Sequence, residues 1–549
     1  MGITRTSGAE AVLLPHHSFT AEGETYLYAA ETGGLFRMDD GVRDALSALA
    51  SADGHGRPSA EAGRDAPDFV ASADGQGWPS AEAGRDAPGS VASAVPEEIL
   101  SDLRRAGLLG NTGGCGPAGR TAHPPLRLRT LVLMLTYSCN LACRYCYEDR
   151  EEGCVPPGDG QRWPSAAAGR DAPGSIAAAG RGTPREMSLG SLRSGVAYLL
   201  DHDGQGRPSA EAGREAPGSV ASAAGANGKV SVTFFGGEPL LRFPLIRTAV
   251  GEARRMARER GKEISFSITT NGTLLTREIA GFLKENGISV CFSIDGPREI
   301  HDRNRPYASG RGSYEDVVRG LSFLRENGNG FPVAARVTLG GGAVDVRKTF
   351  DHLRGLGFDE VGFAPASATE GSPSALTEEE LFAVMAGFRE LADGYVDDVR
   401  ERRVPAFSNM SQILGLIHRG DPMPYPCGAG IGMLAVDPSG AFYPCHRLCG
   451  IGDSFGGPEA GIPEEVRGRF LDGARRRRES ACDACWAKNF CSGGCYHDAY
   501  LRQGDLFAPS VHYCRWIKEL FLLGLRTYVR IQNETPTFLD VMLGERGIA

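Results

Sequence analysis

Between residues 128 and 366, short apolar segments alternate with longer segments in which apolar residues recur at every third or fourth position. The short segments predict strands, and the longer ones predict amphipathic helices, for example at 245–259 and 314–327. Strands that alternate with helices indicate a parallel sheet with helices packed outside it. The predicted strands lie at 131–135, 230–235, 264–270, 288–294, 333–339 and 360–364. Six such units predict an α/β fold with a partial (β/α)6 TIM-like barrel, whose active site belongs at the carboxyl ends of the strands.

The segment before the barrel has a different pattern. Between residues 20 and 110, two alternating segments (ETYLYAAE and GLFRMD) precede two helical segments (VRDALSALA and PEEILSDLRRAGLL). The apolar residues Val42, Leu46 and Leu49 keep the spacing of one helix face. Two strands followed by helices predict a small winged-helix-like module.

A repeated unit of about 21 residues interrupts both regions, at 53–73, 74–94, 159–179 and 203–223. Its Gly, Ser, Ala and Pro content lacks an apolar stripe, and scattered copies cannot stack as a solenoid does. We interpret the copies as surface insertions; a repeated binding motif is the alternative. The predicted domains are then the winged-helix-like module at 1–125, the barrel at 126–370, a helical linker at 371–425, and a cysteine-rich domain with a C-terminal helix at 426–549.

Composition narrows the class of protein. The 549-residue chain carries a net charge of −9, which argues against nucleic acid as its main partner. It has no apolar run long enough for a membrane span and no signal-like N-terminus, so a cytoplasmic location is expected. Fourteen cysteines in a reducing compartment indicate metal binding rather than disulfides.

Three of these cysteines follow the first barrel strand, in TYSCNLACRYCYE. Cys139, Cys143 and Cys146 form the pattern C-x3-C-x2-C. Three thiolates can hold three irons of a cubane cluster and leave the fourth iron for a non-protein ligand, which suits catalysis. A structural zinc site, completed by Cys154, is the alternative.

With Tyr145 at its aromatic position, this motif resembles the signature of the radical S-adenosylmethionine (SAM) superfamily. The resemblance implies that the open iron of a 4Fe–4S cluster binds SAM. Reduction then cleaves SAM, and the resulting 5′-deoxyadenosyl radical abstracts a hydrogen atom from the substrate. The segments FFGGEP, ITTNGT, FSIDGP and AARVTL lie at strand positions where that family contacts SAM. The implied SAM-binding residues are Tyr145, Gly236, Gly237, Glu238, Asn271, Ser293, Asp295 and Arg336; no catalytic side chain is assigned.

A second set of cysteines occupies the C-terminal region. Cys427 and Cys445 flank Gly440, CDACWAKNFCSGGC follows, and Cys514 completes the pattern. This pattern resembles the SPASM domain of radical SAM peptide maturases, which implies two auxiliary 4Fe–4S clusters and therefore three clusters in all. One would be held by Cys482, Cys485, Cys491 and Cys514, and the other by Cys427, Cys445 and Cys495, with a fourth site that is open or filled by Cys449. Two zinc ribbons are the alternative.

Two further interpretations concern single segments. Cys291 lies in an apolar strand and is predicted to be a core residue. The basic run at 474–479 is predicted to be a solvated face, with contact to a peptide as the alternative.

The two resemblances together imply a maturase that acts on a ribosomally made precursor peptide. The N-terminal module is similar to the element that binds a leader peptide in such maturases by strand addition. The reducing partner would be a flavodoxin or ferredoxin. YPCHRLCG and CDACWAKNFCSGGCYHD are most similar to thioether-forming enzymes, the SCIFF-type and quinohemoprotein maturases. Carbon–carbon cross-linking remains open.

Two other functions stay possible. An anaerobic sulfatase-maturing enzyme, which makes formylglycine, has the same layout, but that family carries an Asp where this chain has His446. A non-catalytic iron–sulfur or zinc scaffold that binds a peptide is the alternative outside enzymes.

Overall fold

The computed structural model describes residues 11–30, 32–52, 97–106, 108–111, 123–147, 185–203, 229–326, 330–342, 345–369, 371–420 and 423–543. Three repeat copies, together with Cys115 and Cys154, lie outside the described residues. Of the fourth copy, only Asp203 is described.

The N-terminal module contains both predicted helices and both predicted strands, with three more strands. Its elements are β1 (Ala11–Leu13), β2 (His16–Ala21), β3 (Glu24–Ala29), β4 (Gly34–Arg37), α1 (Asp40–Ala52), α2 (Glu97–Arg105) and β5 (Leu109–Asn111). Strands β2, β3 and β4 form an antiparallel sheet in that order, and β1 pairs with β5. The module has its own apolar core, in which Leu46 and Leu49 of α1 meet Leu100 and Leu103 of α2.

The barrel prediction of six parallel strands is confirmed. The strands are β6 (Thr130–Met134), β7 (Lys229–Phe235), β8 (Glu263–Thr270), β9 (Ser289–Ser293), β10 (Val333–Leu339) and β11 (Glu360–Pro365). They lie side by side in chain order. The helices between these strands are α3 (Leu189–Asp201), α4 (Phe243–Glu259), α5 (Arg277–Glu285), α6 (Arg298–Asn304), α7 (Tyr314–Arg325) and α8 (Val346–Gly355), and α9 (Glu378–Arg400) follows β11. Even-numbered apolar residues of β9, such as Val290 and Phe292, are buried in the main core.

The sheet continues beyond the predicted barrel. Strand β12 (Met433–Val436), from the cysteine-rich region, pairs parallel to β6, and β13 (Phe442–Tyr443) pairs antiparallel to β12. A Cβ atom at Gly195 of α3 would lie 3.1 Å from Val436, so α3 packs closely over this junction. The barrel and the cysteine-rich region therefore share one sheet, which the sequence pattern did not indicate.

The rest of the chain is helical. It comprises α10 (Ser408–Arg419), α11 (Glu464–Ser480), α12 (Lys488–Cys491), α13 (Tyr496–Gln503), α14 (Val511–Glu534) and α15 (Pro536–Leu543). A side chain at Gly524 of α14 would overlap Ile413 of α10, so these two helices approach closely at that glycine. None of the helices in the described ranges has the length and apolar composition needed to cross a membrane.

The N-terminal module packs on the cysteine-rich region through strands β2 and β3. His17 stacks on Trp486 at 4.3 Å between ring centroids, and Tyr28 stacks on Phe490 at 4.8 Å. Asn489 donates a hydrogen bond to the carbonyl of Ala30. The module is therefore seated on the region that carries Cys485 and Cys491.

The fourth repeat copy allows a direct test of its dispensability. The Asp203 carboxylate is nearly buried and pairs with Lys262 at 2.9 Å. We expect deletion of residues 204–223 to leave the unfolding temperature unchanged, because the repeat sequence lacks an apolar stripe. Deletion of residues 203–223 should instead cost about 1–3 kcal/mol, because Lys262 loses its charged partner. Thermal unfolding of the two deletion variants measures the difference; equal stability would contradict a structural role for Asp203.

Candidate active site

The first cysteine group lies on the loop that leaves the carboxyl end of β6. Cys139, Cys143 and Cys146 are free thiols. Desolvation raises the pKa of Cys139 to about 12, and negative charge on Cys143 and Cys146 contributes to the shift. Burial likewise raises the pKa of Cys143 to about 11, against the opposing effect of Arg305. The fold therefore brings the three predicted thiols together at the expected end of the sheet.

The donor set fits an iron–sulfur cluster. In the described residues, no three or more His, Cys, Asp or Glu side chains converge closely enough to hold one metal ion. A cubane binds each thiolate through a different iron, so its ligands do not need to converge on one point. Three neighbouring thiols that stand apart are compatible with such a cluster.

The turn after β7 supports the cysteine loop. Gly237 donates its N–H to the carbonyl of Thr136 at 2.8 Å, and Glu238 donates to the carbonyl of Ser138 at 2.9 Å. A Cβ atom at Gly236 would overlap the Thr136 carbonyl, and one at Gly237 would overlap that of Ser138. The two glycines thus let the turn lie directly against the backbone that enters the cysteine motif. Their predicted contact with SAM stays a prediction.

Gly237→Ala is expected to displace the cysteine loop, because the new methyl group cannot coexist with the Ser138 carbonyl. An overlap of this kind costs about 1–3 kcal/mol. Moving the loop to relieve it would misplace the three thiols, so anaerobic SAM cleavage should fall by about tenfold or more. Gly251→Ala on α4 is the matched control, because a Cβ atom there has no neighbour within 4 Å. The support role is wrong if both variants cleave SAM at the wild-type rate.

Glu238 and Asn271 connect neighbouring strand ends. The buried Glu238 carboxylate accepts hydrogen bonds from Thr270 Oγ1 at 2.7 Å, from the Asn271 N–H at 2.8 Å and from the Leu240 N–H at 3.0 Å. Burial raises the pKa of Glu238 to about 7. The Asn271 side chain donates to Asn140 Oδ1 at 2.9 Å, on the cysteine loop. Both side chains are thus engaged by the protein itself, and their SAM contacts remain predictions.

Asp295 is the centre of a buried hydrogen-bond network. Its carboxylate accepts from the Tyr145 hydroxyl, from Arg305 at 3.0 Å and from the Thr338 N–H at 3.1 Å. Asn304 adds a bond at 3.3 Å. Asp295 is 1% exposed, so this network excludes water and fixes Tyr145 next to the cysteine motif.

Arg305 is a site residue that sequence reasoning missed. Its guanidinium is buried, lies 5.2 Å from the centroid of the Tyr145 ring and interacts with the Cys143 thiol. Burial alone would lower the pKa of Arg305, but Asp295 and the neighbouring Tyr145 and Cys143 raise it. A permanent positive charge therefore lies beside the first cysteine group. The sequence offered one signal for such a residue: an acid buried at a strand end, here Asp295, requires a cation nearby.

Ser293 and Arg336 are neighbours across β9 and β10. The Arg336 guanidinium lies across Gly362 of β11, where a Cβ atom would be 2.5 Å away. It also interacts with Cys291, whose pKa is raised by burial and lowered by Arg336. Cys291 is buried as predicted, and Arg336 lies on the same face of the sheet as Ser293.

The C-terminal cysteines fall into two groups in space. Burial raises the pKa of Cys427 to about 12, and negative charge on Cys495 adds to the effect; Cys445 interacts with both. Cys482, Cys485, Cys491 and Cys514 interact with one another in the same way. We call these the three-thiol group and the four-thiol group. They have the membership that the resemblance implies, and cluster binding by each stays a prediction.

Cys449 lies in a different environment. It is 2% exposed and packs in an apolar cluster with Val132, Met134 and Tyr443. Its thiol is 3.9 Å from the Cys445 carbonyl. Its service as a fourth ligand stays a prediction.

Aromatic and basic side chains join the two cysteine regions. Tyr147, directly after Cys146 in the chain, lies 6.4 Å from His446 and 5.4 Å from His497 between ring centroids. Arg447 lies over the Tyr147 ring at 5.2 Å, and Phe235 contacts His446 at 4.5 Å. Sequence analysis assigned no role to Tyr147, Arg447 or His497. The fold therefore places the first group and the three-thiol group on either side of one set of contacts.

The imidazole of His446, which lies among these aromatic and basic side chains, is neutral. Burial lowers the pKa of His446 to about 3. Its Nδ1 atom is buried and has no hydrogen-bond partner among the described residues. The neighbouring Arg447 is fixed by a hydrogen bond to Ser367 at 2.9 Å.

Part of the barrel is similar to a known protein family. Residues 133–353 match the family model of the radical SAM superfamily. The chain is 24% identical over 446 residues to the serine-type anaerobic sulfatase-maturating enzyme of Klebsiella aerogenes, covering 78% of this chain and 93% of that protein. It is 40% identical over 101 residues to the serine-type enzyme of Bacteroides thetaiotaomicron, which is 18% of this chain and 24% of that protein. The chain thus matches about a quarter of one relative and most of the other.

A solved structure gives the same fold. The structure described as native anSMEcpe with bound AdoMet and Cp18Cys peptide covers 75% of this chain and 99% of its own, with a TM-score of 0.54 and 19% identity. At this identity the likeness concerns the fold alone.

Proposed function

We propose that this protein, whose residues 133–353 match the radical SAM superfamily model and whose chain is similar to sulfatase-maturating enzymes, is a radical SAM enzyme that modifies a ribosomally made precursor peptide. The proposed product is an intramolecular cross-link, with a thioether as the preferred bond. The first cysteine group would hold the cluster that supplies the electron for SAM cleavage, and the C-terminal thiols would hold clusters able to accept the electron left after bond formation.

One observation carries this proposal. Tyr147 connects the loop of the first cysteine group to His446 and His497, which follow Cys445 and Cys495 of the three-thiol group. A substrate residue held at this contact lies next to both regions. Hydrogen can then be abstracted from a peptide segment that also lies beside the three-thiol group. That group would either bind a sulfur of the substrate or accept an electron from it.

The chain's own residues have separable roles. Arg305 places a buried positive charge beside Cys143, which favours the thiolate form that a cluster needs. Asp295 holds both Arg305 and Tyr145 in place. His446 keeps a neutral imidazole beside the Tyr147 ring, next to Cys445 of the three-thiol group.

The peptide partner fits the N-terminal module. Strand β4 is an edge of its sheet, and Phe36 beside that edge is exposed. An extended leader segment can add to such an edge through backbone hydrogen bonds. A flavodoxin or ferredoxin is the proposed electron donor.

Formylglycine formation is the second candidate. The similarity over 93% of the Klebsiella aerogenes enzyme favours it. His446 in place of the Asp of that family favours the cross-link, because a neutral imidazole replaces a carboxylate.

The deciding experiment is mass spectrometry of a cysteine-containing precursor peptide after anaerobic reaction with the enzyme, SAM and reductant. Loss of two hydrogens together with protection of a cysteine from alkylation supports a thioether. The same loss with all thiols free indicates a carbon–carbon link. Formylglycine in a sulfatase-derived peptide supports the second candidate, and absence of 5′-deoxyadenosine in every reaction rejects both.

A further inference from the structure

Arg477, in the basic run of α11, is not part of a solvated face. Its relative exposure is 4%, whereas the preceding residue, Arg476, is exposed. The sequence interpretation of residues 474–479 as a solvated face is therefore wrong at this position. The helix turns this one guanidinium inward, towards the auxiliary cysteines.

The guanidinium is held by neutral groups. Its Nη1 donates to the carbonyls of Gly494 and Leu506, both at 3.3 Å, and it lies 5.9 Å from the Tyr496 ring centroid. Its Nε is buried without a hydrogen-bond partner in the described part of the chain. Within the same ranges, no carboxylate forms a salt bridge with it. Burial of a cation without a compensating anion is costly.

A turn with three successive left-handed residues surrounds this charge. Ser492, Gly493 and Gly494 have φ values of 47°, 89° and 82°. The turn joins Cys491 of the four-thiol group to Cys495 of the three-thiol group. A Cβ atom at Gly493 would overlap Arg477 Nε, so the turn lies directly on the guanidinium.

Thiols of both groups interact with Arg477. Burial raises the pKa of Cys427 in the three-thiol group, and Arg477 opposes that shift. The same holds for Cys482, Cys491 and Cys514 in the four-thiol group. The guanidinium therefore lies within electrostatic reach of both sets of ligands.

We propose that Arg477 is the shared counter-cation of the two auxiliary clusters and raises the reduction potential of both. This rests on the proposed function, in which each thiol group holds a cluster. A cluster gains negative charge when it is reduced, so a fixed positive charge in a poorly hydrated position favours the reduced form. Arg477 is thus a positioning and tuning residue for electron acceptance.

The test is a redox titration of the fully loaded protein, followed by electron paramagnetic resonance. Arg477→Gln removes the charge and keeps a donor for the Gly494 and Leu506 carbonyls. It should shift the reduction equilibrium of both auxiliary clusters at least tenfold towards the oxidised form, which is about 59 mV per electron. Arg477→Lys should restore the wild-type potentials, and Arg476→Met is the matched control with an exposed charge.

Each outcome decides the proposal. Arg477→Gln with full iron content and wild-type potentials overturns it. If the Gln variant loses its auxiliary clusters, retention of both by Arg477→Lys shows that the charge is required, whereas loss from the Lys variant as well assigns Arg477 to packing and overturns the proposal. Wild-type protein that assembles only the first cluster would instead contradict the proposed function.

Discussion

Cys143→Ala should abolish the formation of 5′-deoxyadenosine from SAM under anaerobic, reducing conditions. The variant leaves two thiols in the first group, so one cubane iron loses its protein ligand. It also removes the group next to Arg305, which already pairs with the buried Asp295. Chromatography measures the 5′-deoxyadenosine that is formed, and an iron assay measures whether the variant still holds the cluster.

Cys291→Ala is the control for this experiment. Cys291 is also buried in the barrel, but it lies within β9 and outside the three cysteine groups. Its removal should leave iron content and SAM cleavage near wild-type values. Wild-type cleavage by Cys143→Ala would remove the basis for a catalytic cluster at this loop.

Cys485→Ala should separate SAM cleavage from peptide modification. Cys485 belongs to the four-thiol group, whereas the first cysteine group lies at the end of β6. We therefore expect the variant to release 5′-deoxyadenosine while the precursor peptide keeps its original mass. Parallel measurement of both products in one reaction distinguishes this result from general unfolding, which would stop both.

The expected separation depends on the second group having its own function. If Cys485→Ala modified the peptide as the wild type does, the four-thiol group would have no role in catalysis. Circular dichroism of the variant shows whether its total helix content matches that of the wild type. The four-thiol group lies on the chain between the end of α11 and the start of α14.

Much of the barrel could be predicted from sequence. The period of apolar residues is a local property, and it placed all six strands within about two residues of their observed ends. Gly236 and Gly237 were also recognised at a strand end, although the structure gives them a role that sequence did not suggest, as support for the cysteine loop.

The contacts that join the N-terminal module, the barrel and the cysteine-rich region could not be predicted from the local period of apolar residues. Strand β12 is too short to stand out, and its pairing with β6 links residues about 300 positions apart. The stacking of His17 on Trp486 is likewise a contact between distant parts of the chain. Nothing in the neighbouring sequence of either residue specifies its partner.

The sequence by itself determined the fold class and predicted the strand ends and thiol groups on which the proposed chemistry depends, because periodicity and cysteine spacing depend on near neighbours. Only the tertiary structure decided which charges are buried and paired. In the folded chain Arg305 pairs with Asp295, whereas Arg311 pairs with Asp316. Arg477 is buried, whereas Arg475 pairs with Asp472. Burial and charge pairing depend on which distant segments pack together, and that information is distributed over the whole folded chain.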